Sequence, residues 1–221
     1  MIRVLFAAGD KRWPQYAPVL LAAFKAAGLT VDLSTDHAPD VVDYIIAAPN
    51  GSVTDFTPYT NCKLVQNIWA GVENITTNPT LTQPLARMVD PGLTQGMVEW
   101  VTGHTLRHHL GMDLHIHGQD GEWRGYIPPL AEDRPVTVLG LGALGTACAT
   151  TLAGLGFPVR GWSRSAKQIA GITTFHGPDG LTKALTDAQI LILLLPLTGA
   201  TENILDAQRL ALLAAGATVI N

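Results

Sequence analysis

The feature that most constrains the fold is a glycine-rich turn between a predicted strand and a predicted helix. Residues 136–139 (VTVL) lead directly into G-x-G-x-x-G at 140–145, and helix-forming residues follow at 147–155. In such a unit the first glycine permits the turn, the second lets backbone approach a phosphate, and the third lets the helix pack closely on the strand. Unpaired N–H groups at the helix N-terminus then favour an anion. The pattern predicts a dinucleotide-binding turn formed by Gly140, Gly142, Ala143, Leu144 and Gly145.

The next predicted strand, residues 157–162, ends without a carboxylate. Proteins that prefer NAD usually carry an Asp or Glu there, which accepts a hydrogen bond from the ribose 2′-hydroxyl. This chain instead has Ser163, Arg164 and Ser165, with Lys167 shortly beyond. A hydroxyl and a guanidinium suit a 2′-phosphate, although Arg164 as an ordinary solvated residue is the alternative. We therefore expect NADP as the cofactor, with NADPH preferred over NADH.

Composition excludes several classes of protein. The chain has 221 residues, of which 47% are hydrophobic and 14% charged, so we expect one large or two small folded domains. A net charge of −4 provides no basic field for nucleic acid, and no apolar run approaches the length of a membrane span. Cys62 and Cys148 lie near no metal-like spacing and suit buried positions in a reducing compartment. We expect a cytoplasmic protein that binds neither nucleic acid nor membrane.

Strands that alternate with helices predict an α/β fold. We expect two parallel-sheet domains, Rossmann-like or flavodoxin-like, the second incomplete at its C-terminus. The strands are expected at residues 2–7, 31–33, 44–48, 63–67 and 85–89, and at 136–139, 157–162, 172–175, 189–194 and 217–220. A helix is expected at residues 14–27, and a single long helix from residue 94 to about residue 117.

Histidines cluster on this long helix. They are His104, His108, His109, His115 and His117. His104 and His108 are four residues apart, which could place two imidazoles on one metal ion. Because no third ligand is evident, we expect a solvated helix face and no metal site.

A second glycine loop follows the predicted strand at residues 63–67. It reads Trp69-Ala70-Gly71-Val72, in which glycine allows consecutive N–H groups to converge on an anion. Ligands bind at the carboxyl edge of parallel sheets, where this loop is expected to lie. Taken alone, the pattern fits an ordinary glycine turn equally well.

The order of four segments resembles the D-isomer-specific 2-hydroxyacid dehydrogenases. These segments are residues 68–75, 140–145, 194–198 with Thr201, and 216–221. Residues 156–165 are most similar to the glyoxylate/hydroxypyruvate reductase A branch, which prefers NADPH, and so are residues 90–93 with the following Glu99-Trp100.

The resemblance implies a division of the chain and a set of roles. Residues 1–95 would be the N-terminal part of the substrate-binding domain, residues 96–134 an interdomain helix and linker, and residues 135–221 an incomplete NAD(P)-binding domain. The backbone amides of Ala70, Gly71 and Val72 would hold the substrate carboxylate, beside Trp69. Leu195, Pro196 and Thr201 would lie along the cofactor. The implied activity is NADPH-dependent reduction of small 2-oxo acids, such as glyoxylate or hydroxypyruvate, by a homodimer.

The chain departs from the family at its end. The family's catalytic Arg, Glu and His would fall beyond Asn221, and none of the seven histidines present lies in a matching motif. We therefore assign no catalytic residue, and we expect a polypeptide that stops at Asn221 to be inactive. A non-catalytic dinucleotide-binding scaffold of the same fold is the main alternative. A Rossmann enzyme that uses S-adenosylmethionine is a further one, against which Ser163 and Arg164 argue because that ligand has no 2′-phosphate.

Overall fold

The computed structural model describes residues 1–221, which form two compact units, Met1–Val89 and Asp90–Asn221. Each unit is built on one five-stranded sheet in which all the neighbouring strands run parallel. The predicted fold class, α/β with two parallel sheets, is confirmed. No helix is both long and apolar enough to span a membrane.

The first unit has the strand order β2-β1-β3-β4-β5, which is that of flavodoxin-like folds. Its elements are β1 (Ile2–Ala7), α1 (Trp13–Ala26), β2 (Val31–Ser34), β3 (Tyr44–Ala47), β4 (Leu64–Asn67), α2 (Glu73–Thr76) and β5 (Leu85–Arg87). Along β1, Leu5 and Ala7 belong to one buried cluster, and Val4 and Phe6 belong to another. Because successive strand residues point to opposite faces, this sheet has a hydrophobic core on both sides.

The second unit has the strand order β10-β9-β6-β7-β8. Its elements are α3 (Pro91–His109), α4 (Met112–His117), β6 (Val136–Leu139), α5 (Ala143–Gly154), β7 (Val159–Ser163), β8 (Thr173–His176), α6 (Gly177–Leu185), β9 (Ile190–Leu193), α7 (Ala207–Leu210) and β10 (Thr218–Ile220). Counted from β6, this is the order of the first five strands of the Rossmann fold. Strands β7 and β8 are added on one side of β6, and β9 and β10 on the other. A ligand crevice is expected where this order changes, at the carboxyl ends of β6 and β9.

The prediction of a single long helix from residue 94 to about residue 117 is wrong, because the helical segment starts at Pro91 and is broken into two helices at Gly111. Helix α3 begins at Pro91, because the Asp90 carboxylate accepts a hydrogen bond from the Leu93 N–H at 2.8 Å and caps the first turn. The helix ends before Gly111, which adopts a left-handed conformation with φ of +64°, and α4 starts directly afterwards.

Helix α3 packs against α5 in the second unit. Val101 on α3 is fully buried and shares a core cluster with Cys148 and Leu152 of α5, while Met97 and Leu106 pack at its border.

Candidate functional site

The glycine-rich turn after β6 is fixed by its backbone. Gly140 has φ of +104°, and a Cβ on it would lie 2.5 Å from the carbonyl oxygen of Leu194. A Cβ on Gly145 would overlap the carbonyl oxygen of Gly140, so α5 can approach β6 only because residue 145 lacks a side chain. The roles predicted for the first and third glycines therefore agree with the geometry.

The N-terminus of α5 is open on the side of the second glycine. A Cβ on Gly142 would meet no atom within 4 Å, and no side chain caps the helix. The first backbone bond to the turn is from Thr146 N–H to the Gly142 carbonyl at 2.9 Å. The amides of Ala143, Leu144 and Gly145 donate no hydrogen bond within the chain. These three donors, at the positive end of a 12-residue helix, fit a dinucleotide pyrophosphate.

The turn after β7 presents cations and hydroxyls without a paired carboxylate. Ser163 is buried and its Oγ donates to the carbonyl oxygen of Ser165 at 2.8 Å, which shapes the turn. Arg164 is exposed and makes no ion pair. The Lys167 ammonium donates to the carbonyl oxygen of Leu141, so this cation lies against the glycine-rich turn itself.

The segment after β9 lies beside the same turn. The Leu194 N–H donates to the Leu139 carbonyl at 2.9 Å, and Leu195 Cδ2 lies 3.2 Å from where a Cβ on Gly140 would be. The Thr201 hydroxyl donates to the Pro196 carbonyl oxygen and thereby closes the following turn. Leu195 is thus placed at the glycine-rich turn, whereas Pro196 and Thr201 shape the loop that leaves it.

In the first unit, the loop after β4 leaves the sheet at the same level as the loop after β1. The strand register aligns Ala7 with Ala47, and Ala47 with Asn67. The Arg12 guanidinium carbon lies 5.4 Å from the centroid of the half-exposed Trp69 ring, a cation–π contact between the two loops. Arg12 also donates to the Ala8 carbonyl at 2.7 Å and pairs with no carboxylate.

The amides of Ala70, Gly71 and Val72 donate to no acceptor within the chain. Behind them lies Asn67, which is fully buried and which the motif analysis did not single out. Its Nδ2 donates to the carbonyl oxygens of Trp69 at 2.9 Å and of Gly71 at 2.7 Å, and its Oδ1 has no partner. The loop is therefore held from inside by one side-chain amide. An Asn that ends a strand just before a glycine loop is the signal that could have identified it.

The Glu73 carboxylate lies next to this loop. A Cβ on Gly71 would come within 2.8 Å of Glu73 Oε2, so a larger residue at position 71 would have to displace that carboxylate. Gly71 does not have a positive φ, and the atoms nearest to its Cβ position all belong to the flexible Glu73 carboxylate, so neither backbone strain nor rigid crowding requires glycine here.

The expectation of a solvated histidine face is wrong for His109. This side chain is buried and packs edge-on against Phe157, with ring centroids 4.9 Å apart. Burial, together with the nearby positive charge of Arg134, lowers the pKa of His109 below its usual value. His104 stacks on Trp100 at 4.3 Å. No group of three potential metal ligands occurs in the chain.

Known proteins resemble this chain in sequence. The family model for the NAD binding domain of D-isomer specific 2-hydroxyacid dehydrogenases matches residues 104–221. A glyoxylate/hydroxypyruvate reductase A from Serratia proteamaculans is 40% identical over 139 residues, which is 62% of this chain and 44% of that protein. The protein of the same name from Yersinia enterocolitica is 38% identical over 139 residues, again 62% of this chain and 44% of the relative. The matched part therefore spans less than half of the length of these relatives.

Solved structures resemble the whole chain. A D-isomer specific 2-hydroxyacid dehydrogenase from Xanthobacter autotrophicus, in complex with NADPH and MES, has a TM-score of 0.85 and 34% identity, and the match covers 100% of this chain and 71% of that one. An NADPH-dependent glyoxylate/hydroxypyruvate reductase from Sinorhizobium meliloti, in complex with NADP and sulfate, has a TM-score of 0.81 and 33% identity, over 100% of this chain and 72% of that one. The chain belongs to the D-isomer specific 2-hydroxyacid dehydrogenase family, as the order of its motifs predicted.

Proposed function

We propose that the protein is an NADPH-dependent reductase that converts small 2-oxo acids, glyoxylate or hydroxypyruvate, into 2-hydroxy acids. The observation that carries this proposal is the pairing of two features at one sheet edge. The first three backbone amides of α5 have no hydrogen-bond acceptor in the chain. The neighbouring strand β7 ends in a turn that carries positive charge and no carboxylate. Relatives that bind NADPH or NADP support it.

In this proposal the cofactor is held by the second unit. The amides of Ala143, Leu144 and Gly145 bind the pyrophosphate at the helix N-terminus. Arg164 pairs with the 2′-phosphate and the exposed Ser165 hydroxyl supports it, while the buried Ser163 holds the turn in shape through its bond to the Ser165 carbonyl. When bound, the dinucleotide supplies the hydride for the reduction.

Four further residues complete the proposed cofactor site. Lys167, whose ammonium already lies at the carbonyl of Leu141, adds a second positive charge beside the glycine-rich turn. Leu195, Pro196 and Thr201 line the adenosine side, because they follow β9 next to that turn.

The substrate carboxylate is held by the loop after β4. The amides of Ala70, Gly71 and Val72 have no competing acceptor in the chain, so an anion can bind them without breaking existing hydrogen bonds. Trp69 forms an apolar wall, and Arg12 on its face contributes positive charge.

We also propose that the protein is a homodimer. The segment from α4 to residue 130 exposes apolar side chains, among them Trp123 at 96% and Ile127 at 93%. Apolar surface of this kind usually marks a protein interface. Replacing both residues by Glu should shift the species seen by light scattering from dimer to monomer, and an unchanged mass would contradict this interface.

The two buried, free thiols suit a reducing cytoplasm.

The activity is tested on the full-length protein by following NADPH absorbance with glyoxylate and with hydroxypyruvate. We expect oxidation of NADPH that depends on the 2-oxo acid, and weaker activity with NADH. NADPH binding without turnover of either acid would overturn the reductase proposal and favour a dinucleotide-binding scaffold. Failure to bind either dinucleotide would refute both.

A further inference from the structure

We propose that Asn67 is a positioning residue for the substrate carboxylate. It turns the N–H groups of Ala70 and Val72 toward the open side of the loop after β4. This inference rests on the proposed function, in which those amides bind the 2-oxo acid.

The argument begins with peptide geometry. In a trans peptide the carbonyl and the following N–H point in opposite directions. The Trp69 carbonyl shares its peptide with the Ala70 N–H, and the Gly71 carbonyl shares its peptide with the Val72 N–H. Asn67 Nδ2 draws both carbonyls to the protein side, at 2.9 Å and 2.7 Å. The N–H groups of residues 70 and 72 therefore face away from Asn67.

These two contacts use both hydrogen-bond donors of the Asn67 side chain. An Asn amide has two N–H donors, and both are engaged here. The Trp69 carbonyl has a second donor, the Met88 N–H at 3.3 Å, whereas the Gly71 carbonyl has only Asn67. Loss of Asn67 should therefore release the peptide that carries the Val72 N–H more than the one that carries the Ala70 N–H.

Because Asn67 is buried, a substitution can be chosen that changes the direction of the amides more than it changes folding stability. Asn67 is fully buried and its Oδ1 has no partner, which is an unfavourable state for a polar atom. Asn67→Leu removes the unpaired oxygen together with the two donors and keeps a similar volume. Losses and gains in folding stability then partly offset each other, while control of the amide direction is lost.

The experiment compares Asn67→Leu and Asn67→Ser with a matched control, Gln66→Leu. Gln66 is the preceding residue, and its side-chain amide donates to a backbone carbonyl, that of Asn67, at 2.9 Å but to no carbonyl of the loop. A Ser hydroxyl can donate to only one of the two carbonyls. Titration with oxalate as an unreactive carboxylate probe, KM and kcat for glyoxylate, NADPH affinity and Tm are measured on the full-length proteins.

We expect Asn67→Leu to weaken oxalate binding and to raise the glyoxylate KM by about tenfold or more, since charge-assisted hydrogen bonds are lost. Asn67→Ser should show a smaller loss, and Gln66→Leu should match wild type. NADPH affinity should stay within about twofold in every variant, because the cofactor amides follow β6.

Oxalate affinity and KM that are unchanged in a folded Asn67→Leu protein would overturn the proposal and leave the reductase function standing. If that variant does not fold, unchanged affinity in Asn67→Ser overturns it equally. A wild-type protein that binds NADPH but neither binds oxalate nor reduces a 2-oxo acid would instead refute the proposed function, and the role of Asn67 with it.

Discussion

Replacing Arg164 by Ala should selectively weaken the binding of NADPH. The guanidinium is exposed and makes no ion pair in the chain, so it is available for a 2′-phosphate without first breaking another contact. An exposed ion pair contributes about 0–1 kcal/mol, whereas a bidentate, charge-assisted pair reaches about 1.5–3 kcal/mol. Because the Arg164 site is exposed but Lys167 adds a second charge, we expect about 1.4 kcal/mol, which is a preference of about tenfold for NADPH over NADH.

Fluorescence titration of wild type and variant with both cofactors measures this difference. Arg164→Ala should lose most of the preference, with NADH affinity nearly unchanged, and high salt should shrink the wild-type preference because the contact is exposed. Arg124→Ala is the matched control, since Arg124 is an exposed Arg of the same unit whose ionic partners are Asp120 and Glu122. Equal wild-type affinities for the two cofactors, or the same loss in the Arg124 control, would refute the assignment.

Three further results are expected. Gly145→Ala should abolish dinucleotide binding and lower Tm, because its Cβ would overlap the Gly140 carbonyl; a folded, cofactor-binding variant would contradict the close packing. Arg12→Leu should weaken oxalate binding by up to about fivefold at low ionic strength, the range for one partly exposed charge, and an unchanged affinity would exclude Arg12 from the proposed anion site. Since the folded state lowers the pKa of His109 below 6.5, the stability that neutral His109 contributes should be present above pH 6.5 and lost as pH falls below it. His109→Asn should flatten this part of the Tm-versus-pH curve, and an identical pH dependence in both proteins would rule His109 out as the cause.

The elements that sequence reasoning located correctly are those with local signals. The strand predicted at residues 2–7 has the bounds observed for β1, and the glycine-rich segment at residues 140–145 joins β6 to α5, whose first turn it includes. Apolar patterns and glycine turns depend only on neighbouring residues, so both can be recognised in the sequence alone. The helix predicted at residues 14–27 also lies within one residue of α1 at each end, and Gly28 follows it with φ of +70°.

The features that the sequence did not indicate depend on contacts between distant residues. Gly111 breaks the long helix in a left-handed turn, and a Cβ there would lie 2.6 Å from Tyr126 Cε1, a residue well outside the helical pattern. Lys167 reaches the Leu141 carbonyl across 26 residues of sequence. His109 is buried by Phe157, which belongs to a different element. None of these partners can be identified from spacing along one segment.

The two loops proposed to bind anions, one after β6 and one after β4, expose their amides by different means. After β6, the amides lack acceptors because they form the first turn of the 12-residue helix α5. Gly140 and Gly145 allow that turn to pack, so the fold and the binding of an anion depend on the same glycines. After β4, helix α2 has only 4 residues, and it is a side chain, Asn67, that fixes the direction of the peptides. Substitutions in the first loop should therefore remove stability and binding together. The second loop is where the affinity for the carboxylate can change while the sheet beneath it stays intact, so differences in substrate affinity among related chains are expected to concentrate there.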